Sequence, residues 1–204
     1  QLLFFSKGFT FHRYMSGAQC GASLDGGVDG YYSRRSANHR KKTRRQTRRA
    51  HEAGVEFERH IPRTEAEADA IYSRMLAVEL ASWKGIDECG MAEPISRVFY
   101  DAMLKRLVKA GDARIIMAMH DGRDIGFIFG SMAGKIYRGQ QFSFDDNWAH
   151  ASIGNVLQAE QIRWLCEEGA VRYDMAYQLP LDAVLQFAAE FRIVRIPPRG
   201  FCIG

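Results

Sequence analysis

Three short apolar runs follow one another near the middle of the chain, and they constrain the fold more tightly than any other feature of the sequence. The runs are "ARIIMAMH", "DIGFIFGSM" and "KIYRGQQFSF", and only the turn-like strings "DGR" and "AGK" separate them. Connections this short join neighbouring antiparallel strands, because parallel strands need a crossover of a dozen or more residues. The sequence therefore predicts a three-stranded antiparallel meander.

The segments around the meander alternate between strand-like and helix-like patterns. Through the bend "DDNWAHA", the meander leads directly into a predicted helix, "SIGNVLQAEQIRWLCEEG", which ends at Gly169. Further strands are predicted at "VEFERHI", "VRYDMA" and "RIVRI", and further helices in a basic stretch, after Thr64, after Pro94 and at "LDAVLQFAAEF". This order predicts an α/β (α+β) fold with a mixed, mostly antiparallel central sheet flanked by helices.

Length and hydrophobic content bound the domain organisation. With 47% hydrophobic residues among 204, the chain can bury one sizeable core. We expect one domain over residues 1–204, either as it stands or as the C-terminal part of a longer protein. No apolar run reaches the roughly 18 residues of a membrane span, so we expect a cytoplasmic protein without such a span.

The most unusual stretch is "SRRSANHRKKTRRQTRRAHEAG". Nine of the 28 Lys and Arg residues lie within Arg34–Arg49, so that 19 basic residues oppose 24 acidic ones in the rest of the chain. The basic character is therefore local. Since Pro and Gly are absent from Tyr31–Ala53, we expect one helix there, with Asp29 as its N-cap and Gly54 as its C-terminal stop.

The basic stretch offers few apolar side chains for burial, so packing alone does not explain its helix. Like charges one turn apart, such as Arg40 and Arg44, cost about 0.2–0.5 kcal/mol per pair, and phosphate groups would relieve that repulsion. The stretch lacks interleaved aromatic residues that could stack on bases, which argues against sequence-specific recognition. Four interpretations stay open: a solvated helix face, CoA or nucleotide phosphates, tRNA, and an anionic membrane surface.

The helix after Thr64 carries a carboxylate on its apolar side. Thr64 and Glu67 have the spacing of an N-terminal capping box. The stripe predicted to face the core comprises Ala68, Tyr72, Met75, Leu76 and Trp83. Glu79 falls within this stripe, where desolvation disfavours its charge and raises its pKa unless a partner compensates. We therefore interpret Glu79 as a catalytic base or as one half of a buried ion pair, with Arg138 as a candidate partner.

The helix after Pro94 shows a similar periodicity. The face expected to pack against the core comprises Ile95, Val98, Phe99, Ala102, Leu107 and Ala110. Gly111 is the expected end of this helix.

The start of the helix after the meander is a candidate anion site. The first turn of a helix leaves about four backbone N–H groups without partners and carries a partial positive charge. Within Ser152–Asn155, Gly154 would let a phosphate approach the backbone closely. The alternative is an ordinary helix start, in which Ser152 is the N-cap and Gly154 serves helix packing.

Several strings carry a family resemblance. They are the basic helix, "AVELASWKG", "FYDAMLKRL", "YRGQQFSFDD", "SIGNVLQAEQIRWLCEEG" and "YDMA", and in this order they cover roughly residues 25–190. Together they resemble the GNAT acetyltransferase superfamily, and within it the subgroup related to the Fem-type peptidoglycan aminoacyl ligases. The resemblance implies a GNAT-like fold and an N-acyltransferase, in which a primary amine directly attacks acetyl-CoA or another acyl-CoA. No metal is implied.

The resemblance also implies roles for individual residues. In this superfamily the strand before the helix binds the pantetheine arm of the donor, and the helix N-terminus binds its pyrophosphate. The corresponding cofactor-binding residues are Phe142, Ser143, Phe144, Ser152, Ile153, Gly154 and Asn155. Glu79 would then be the base, Tyr177 would protonate the departing thiolate, and Asp145 would attract the amine. Packing is the alternative role for Tyr177, and solvation of the bend is the alternative for Asp145.

Departures from the superfamily pattern keep other functions open. Ala151 and Val156 replace two marked positions of the phosphate-binding signature, so that only Gly154 matches, and "AVLQFAAEF" stands where relatives tend to carry a Tyr-Lys pair. A catalytically degenerate binding module is therefore one alternative. The other is an aminoacyl-tRNA-dependent ligase acting on a cell-wall precursor. Fem-type relatives take amino acids from aminoacyl-tRNA, which Arg34–Arg49 would contact.

Overall fold

The computed structural model describes residues 18–87 and 89–178 of the chain. The strands are β1 (Ala18–Ser23), β2 (Glu56–His60), β3 (Ala113–His120), β4 (Arg123–Ala133), β5 (Ile136–Phe144) and β6 (Arg172–Gln178). The helices are α1 (Gly27–Ser33), α2 (Ala37–Glu52), α3 (Glu65–Leu80), α4 (Trp83–Ile86), α5 (Pro94–Ala110) and α6 (Ile153–Glu167), with a 3-10 helix (Asp146–Ala151) before α6. Residues 21–176 form one compact unit. The single domain over residues 1–204 stays a prediction.

The strands of the described residues form one sheet in the order β1-β6-β5-β4-β3-β2. The pairs β2–β3, β3–β4 and β4–β5 are antiparallel, which confirms the predicted meander. β5 and β6 pair in parallel through Ile136–Arg138 and Arg172–Asp174, because α6 provides the crossover that a parallel connection needs. The predicted mixed, mostly antiparallel sheet is therefore confirmed.

Helices cover both faces of the sheet. On one face, Phe127 and Phe129 of β4 share an apolar cluster with residues of α3 and α5. On the other face, Ile128 of β4 clusters with Ile153 and Leu157 of α6. Because successive side chains of a strand point to opposite faces, β4 supplies both clusters. α2 contacts α6, and its Ala50 belongs to this second cluster.

The sheet is locally irregular where β4 passes Tyr137. The pairing of β4 with β5 shifts register between Phe129 and Gly130, which leaves Gln140 as an extra residue on β5. The side chain of Tyr137 is fully buried. A β-carbon at position 130 would collide with the Tyr137 hydroxyl and with the backbone carbonyl of Arg138. Close packing therefore requires glycine here.

Replacing Gly130 with alanine is expected to lower the free energy of unfolding by about 1–3 kcal/mol, because overpacking a filled site forces its neighbours to shift. Urea denaturation would measure the loss. Gly139→Ala, on the partner strand, is the matched control, since its β-carbon would have Tyr173 Cε2 as its nearest neighbour, at 3.3 Å. Equal losses in the two variants would contradict the steric argument.

The segment Tyr31–Ala53 is divided between the end of α1 and α2, and the expectation of a single helix there was wrong. Ser36 takes an extended conformation between them, and its hydroxyl accepts a hydrogen bond from His39 N at 3.2 Å to cap α2. The N-cap of α1 is Gly26, so Asp29 lies in the first turn of that helix and does not cap it. Gly54 follows α2 with a φ of 76°, as a C-terminal stop does.

α3 begins as predicted but ends earlier. The Thr64 hydroxyl accepts a hydrogen bond from Glu67 N at 3.2 Å, which confirms the cap. The helix then ends at Leu80, and Ser82 caps the separate helix α4, which begins at Trp83. Trp83 is therefore not part of the α3 stripe.

α5 exposes the stripe that we expected it to bury. The side chains of Ile95, Val98 and Phe99 are 87%, 71% and 60% exposed, whereas Leu104 and Val108 are buried. A helical repeat of apolar residues gives the spacing of a stripe but not the side from which the sheet approaches. The prediction for this face was therefore wrong except at Leu107, which packs against the core. The helix expected at "LDAVLQFAAEF" and the strand expected at "RIVRI" lie outside the described residues.

Candidate functional site

Glu79 is fully buried in the last turn of α3. Its Oε1 accepts a hydrogen bond from the backbone N–H of Met91 at 2.9 Å. Its Oε2 accepts one from the hydroxyl of Ser143 on β5. The carboxylate thus links α3, β5 and the loop before α5, and both of its oxygens have donors.

Lys84 of α4 is the cation beside this carboxylate. Its Nζ lies 3.9 Å from Glu79 Oε2, and its side chain is only 14% exposed. The Nζ donates hydrogen bonds to Gln141 Oε1 at 2.8 Å and to the backbone carbonyl of Phe142 at 2.9 Å. Burial lowers the pKa of Lys84, while the charge of Glu79 acts in the opposite direction. Glu79 and Lys84 form a buried pair attached to β5.

The polar chain continues from Lys84 toward the surface. Gln141 Nε2 donates a hydrogen bond to the hydroxyl of the half-buried Tyr100 on α5, at 2.7 Å. The ring of Phe142, whose centroid lies 5.7 Å from Lys84 Nζ, is 42% exposed. A series of polar side chains thus leads from the buried Glu79 through Lys84 and Gln141 of β5 to the half-buried Tyr100.

Some of the backbone N–H groups at the start of α6 form hydrogen bonds within the chain. Ser152 takes a left-handed conformation, with a φ of 57°, and its hydroxyl makes no capping hydrogen bond. The backbone N–H of Ser152 bonds to Ala149 O at 3.2 Å, and that of Asn155 bonds to Ser152 O at 3.0 Å. Among the described residues, no backbone acceptor is bonded to the N–H groups of Ile153 and Gly154. Because Ile153 is fully buried and Gly154 is partly exposed, the amide of Gly154 is the one of the two that an anion could approach.

Aromatic side chains of β5 lie against the same turn of α6. A β-carbon on Gly154 would lie 3.1 Å from Phe144 Cε1 and 3.3 Å from Phe142 Cε2. Gly154 thus lets α6 pack closely on β5, and the rings reduce the room for a phosphate over this residue. The residues predicted to bind the acyl donor lie on two faces of β5. Phe142 and Phe144 face α6, whereas Ser143 faces Glu79.

Asp145 and Tyr177 lie at the ends of neighbouring strands. Asp145 follows β5, is buried, and accepts hydrogen bonds from the backbone and side-chain nitrogens of Asn147, both at 2.9 Å. It thereby caps the 3-10 helix. Tyr177 belongs to β6, and its side chain lies outside the described part of the structure. The catalytic roles of both residues stay predictions.

α2 presents a continuous basic face to solvent. The helix contacts α6 and the 3-10 helix, and Ala50 near its C-terminal end is buried in the cluster that contains Ile153. The opposite arc, about 160° wide at 3.6 residues per turn, carries the exposed side chains of Lys41, Lys42, Arg44, Arg45, Arg48 and Arg49. Arg48 also pairs with Glu52 at 3.5 Å. These six cations are called the basic face of α2 below.

A protein-family model matches the part of the sequence that contains all of these site residues. The family model described as acetyltransferase (GNAT) domain matches residues 37–178, from the start of α2 to the end of β6. The chain belongs to the GNAT family. The matched region includes Glu79, Lys84 and the start of α6. No curated protein sequence matches the chain.

Solved structures share the GNAT-like fold at low sequence identity. The C-terminal domain of a protein described as a lysylphosphatidylglycerol synthetase from Agrobacterium fabrum is 12% identical, with a TM-score of 0.58 over 85% of this chain and 50% of that chain. L-PGS from Bacillus licheniformis is 17% identical, with a TM-score of 0.58 over 86% and 52%. FemX is 11% identical, with a TM-score of 0.57 over 79% and 54%. The chain spans about half the length of these structures, and at such identities the likeness concerns the fold alone.

Lys84 was not among the residues predicted from the sequence. On one continuous helix, a residue five positions beyond Glu79 would point about 140° away from it. The break at Ser82 starts a new helix and brings the two side chains together. A serine N-cap inside an apparently continuous pattern was the signal available for this break.

Two further findings concern the described residues as a whole. None of their helices combines the length and the apolar character that a membrane span requires. Within the same residues, no group of three or more His, Cys, Asp and Glu side chains could hold a metal ion.

Proposed function

We propose that this GNAT-family protein transfers an acyl group to a primary amine, which attacks the carbonyl carbon of an activated donor directly. The observation that carries the proposal is the buried carboxylate of Glu79, hydrogen-bonded to Ser143 on the strand expected to hold the donor. An amine must lose a proton to form an amide, and Glu79 would accept it through the polar path along β5. Positioning of the two substrates would supply most of the acceleration.

For the donor, we propose acetyl-CoA or another acyl-CoA. Its pantetheine arm would lie along Phe142 and Phe144, and the N–H group of the partly exposed Gly154 would face its phosphates. In this proposal Tyr177 protonates the departing thiolate, and Asp145 attracts the acceptor amine to the end of β5.

Acetyl-CoA is expected to raise the melting temperature of the protein. A ligand at one hundred times its Kd stabilises the folded state by about 2.7 kcal/mol, because it binds the native and not the unfolded chain. A thermal-shift series with acetyl-CoA, longer acyl-CoA esters and free CoA would measure this effect. ADP is the control for binding through phosphates alone. A series in which no CoA compound changes the melting temperature would contradict an acyl-CoA donor.

The basic face of α2 favours a second candidate donor, aminoacyl-tRNA. Six exposed cations within about 12 Å of helix match the charge of a nucleic-acid backbone. α2 also contacts the 3-10 helix that leads into α6. The resemblance to Fem-type ligases supports this candidate, which would act on a cell-wall precursor. Binding of neither donor would instead indicate a non-catalytic binding module.

A further inference from the structure

We propose that Lys84 is itself an acyl acceptor, and that the protein acylates this side chain from the same activated donor that it uses for its substrate. The inference rests on the proposed acyl transfer along β5. It adds a covalent modification site, and it makes the acyl thioester or ester the reagent that modifies it.

The position of Lys84 supports this role. Its Nζ donates a hydrogen bond to the backbone carbonyl of Phe142, within the segment of β5 that is expected to line the acyl donor. A donor that follows this strand brings its acyl carbon close to the Nζ without any rearrangement of the fold. By contrast, Lys135 is exposed at the opposite end of β5, next to the turn from β4.

The two close hydrogen bonds of the Lys84 ammonium can persist when it loses a proton and becomes a neutral amine. A neutral lysine has two N–H bonds and one lone pair, and the two close acceptors, Gln141 Oε1 and Phe142 O, satisfy both N–H bonds. The third proton of an ammonium group would have the Glu79 carboxylate as its partner, but that oxygen is 3.9 Å away. Burial also lowers the pKa of Lys84. The lone pair of the neutral amine is the nucleophile that acylation needs.

Every proton and leaving group of this reaction has an acceptor or a destination. Glu79 takes the proton that the ammonium loses, and the neutral Nζ attacks the carbonyl carbon of the thioester. The new C–N bond forms as the C–S bond breaks, and the thiolate leaves with the proton that Nζ releases. The products are an N-acyl-lysine and a free thiol, and no oxidant or further reagent is required.

Acylation would change the site in a defined way. It removes the charge next to Glu79 and leaves the amide nitrogen with a single N–H bond, so Gln141 or the Phe142 carbonyl loses a donor. The acyl group would also occupy the strand that the donor uses. The modified protein is therefore expected to bind acyl-CoA more weakly than the unmodified protein.

Peptide mapping by mass spectrometry tests the proposal on the unmodified sequence, so that folding of a variant is not at issue. After incubation with acetyl-CoA, we expect one acetyl group on the peptide that contains Lys84, at a rate at least about tenfold above that for Lys135, because a donor bound along β5 holds its acyl carbon near Lys84. Lys84→Arg should abolish this product, whereas the matched surface variant Lys135→Arg should retain it. Binding of acetyl-CoA by thermal shift, together with an unmodified Lys84, would overturn the proposal.

A second reagent tests the reactivity of Lys84 independently of whether the protein binds acyl-CoA. If acetyl-CoA does not stabilise the protein, the acyl-CoA assignment fails, and the N-hydroxysuccinimide ester of acetate replaces it because this reagent needs no CoA site. Faster labelling of Lys84 than of Lys135 by this ester would support the acceptor role with another activated donor. Labelling of Lys84 that is equal or slower would refute it.

Discussion

Replacing Glu79 with alanine is expected to lower the free energy of unfolding by about 3–5 kcal/mol, because removing one partner of a buried pair leaves the other charge without compensation. The Lys84 ammonium would lose its neighbouring carboxylate, and the Met91 N–H and Ser143 hydroxyl would lose their acceptor. Urea denaturation followed by circular dichroism would measure the change.

Two further variants separate folding from chemistry at this position. Glu79→Gln keeps the size of the side chain and an acceptor for Met91, so we expect it to fold while its turnover decreases by about 10²–10⁴, the usual contribution of a general base. Glu58→Ala is the matched control for a carboxylate, because Glu58 pairs with Arg74 at the surface and should contribute about 0.2–1 kcal/mol. An unfolded Glu79→Gln protein would assign Glu79 a purely structural role.

If the donor is aminoacyl-tRNA, its affinity is expected to fall about 10³-fold between 50 and 200 mM salt, since six phosphate contacts release that many counterions. Changing Arg44, Arg45, Arg48 and Arg49 to glutamine should reduce the slope of log K against log salt by about 3 to 4. Filter binding with tRNA at several salt concentrations would measure both quantities.

The matched control uses cations on the other side of the sheet. Arg106→Gln with Lys109→Gln removes two exposed charges from α5, which lies on the opposite face from α2, and should change the salt slope little. A similar change in slope for both sets of variants would show that tRNA binds the protein non-specifically. Weak binding without salt dependence would remove tRNA from the candidate donors.

The sequence predicted those parts of the fold for which local chemistry suffices. Turns as short as "DGR" and "AGK" force antiparallel neighbours, and the hydroxyl of Thr64 specifies the start of α3. The position of Glu79 on the apolar side of α3 could likewise be obtained from helical periodicity. These features depend on residues a few positions apart, so that a single sequence contains the information.

Other features depend on contacts between distant segments. The outward stripe of Ile95, Val98 and Phe99 has the same spacing as a buried one, and only the packing of Leu104 and Val108 on the sheet decides its direction. The partnership of Glu79 with Lys84 depends on a helix break at Ser82. The rings that cover Gly154 come from β5, and their approach reflects how α6 returns onto the sheet.

The bond between Glu79 and the Met91 amide has an evolutionary consequence. The same carboxylate that would accept a proton also fixes the loop before α5, where a β-carbon on Gly90 would collide with Glu79 Oε1. Natural selection for a stable fold would therefore preserve an acid at position 79 in descendants that had abandoned catalysis.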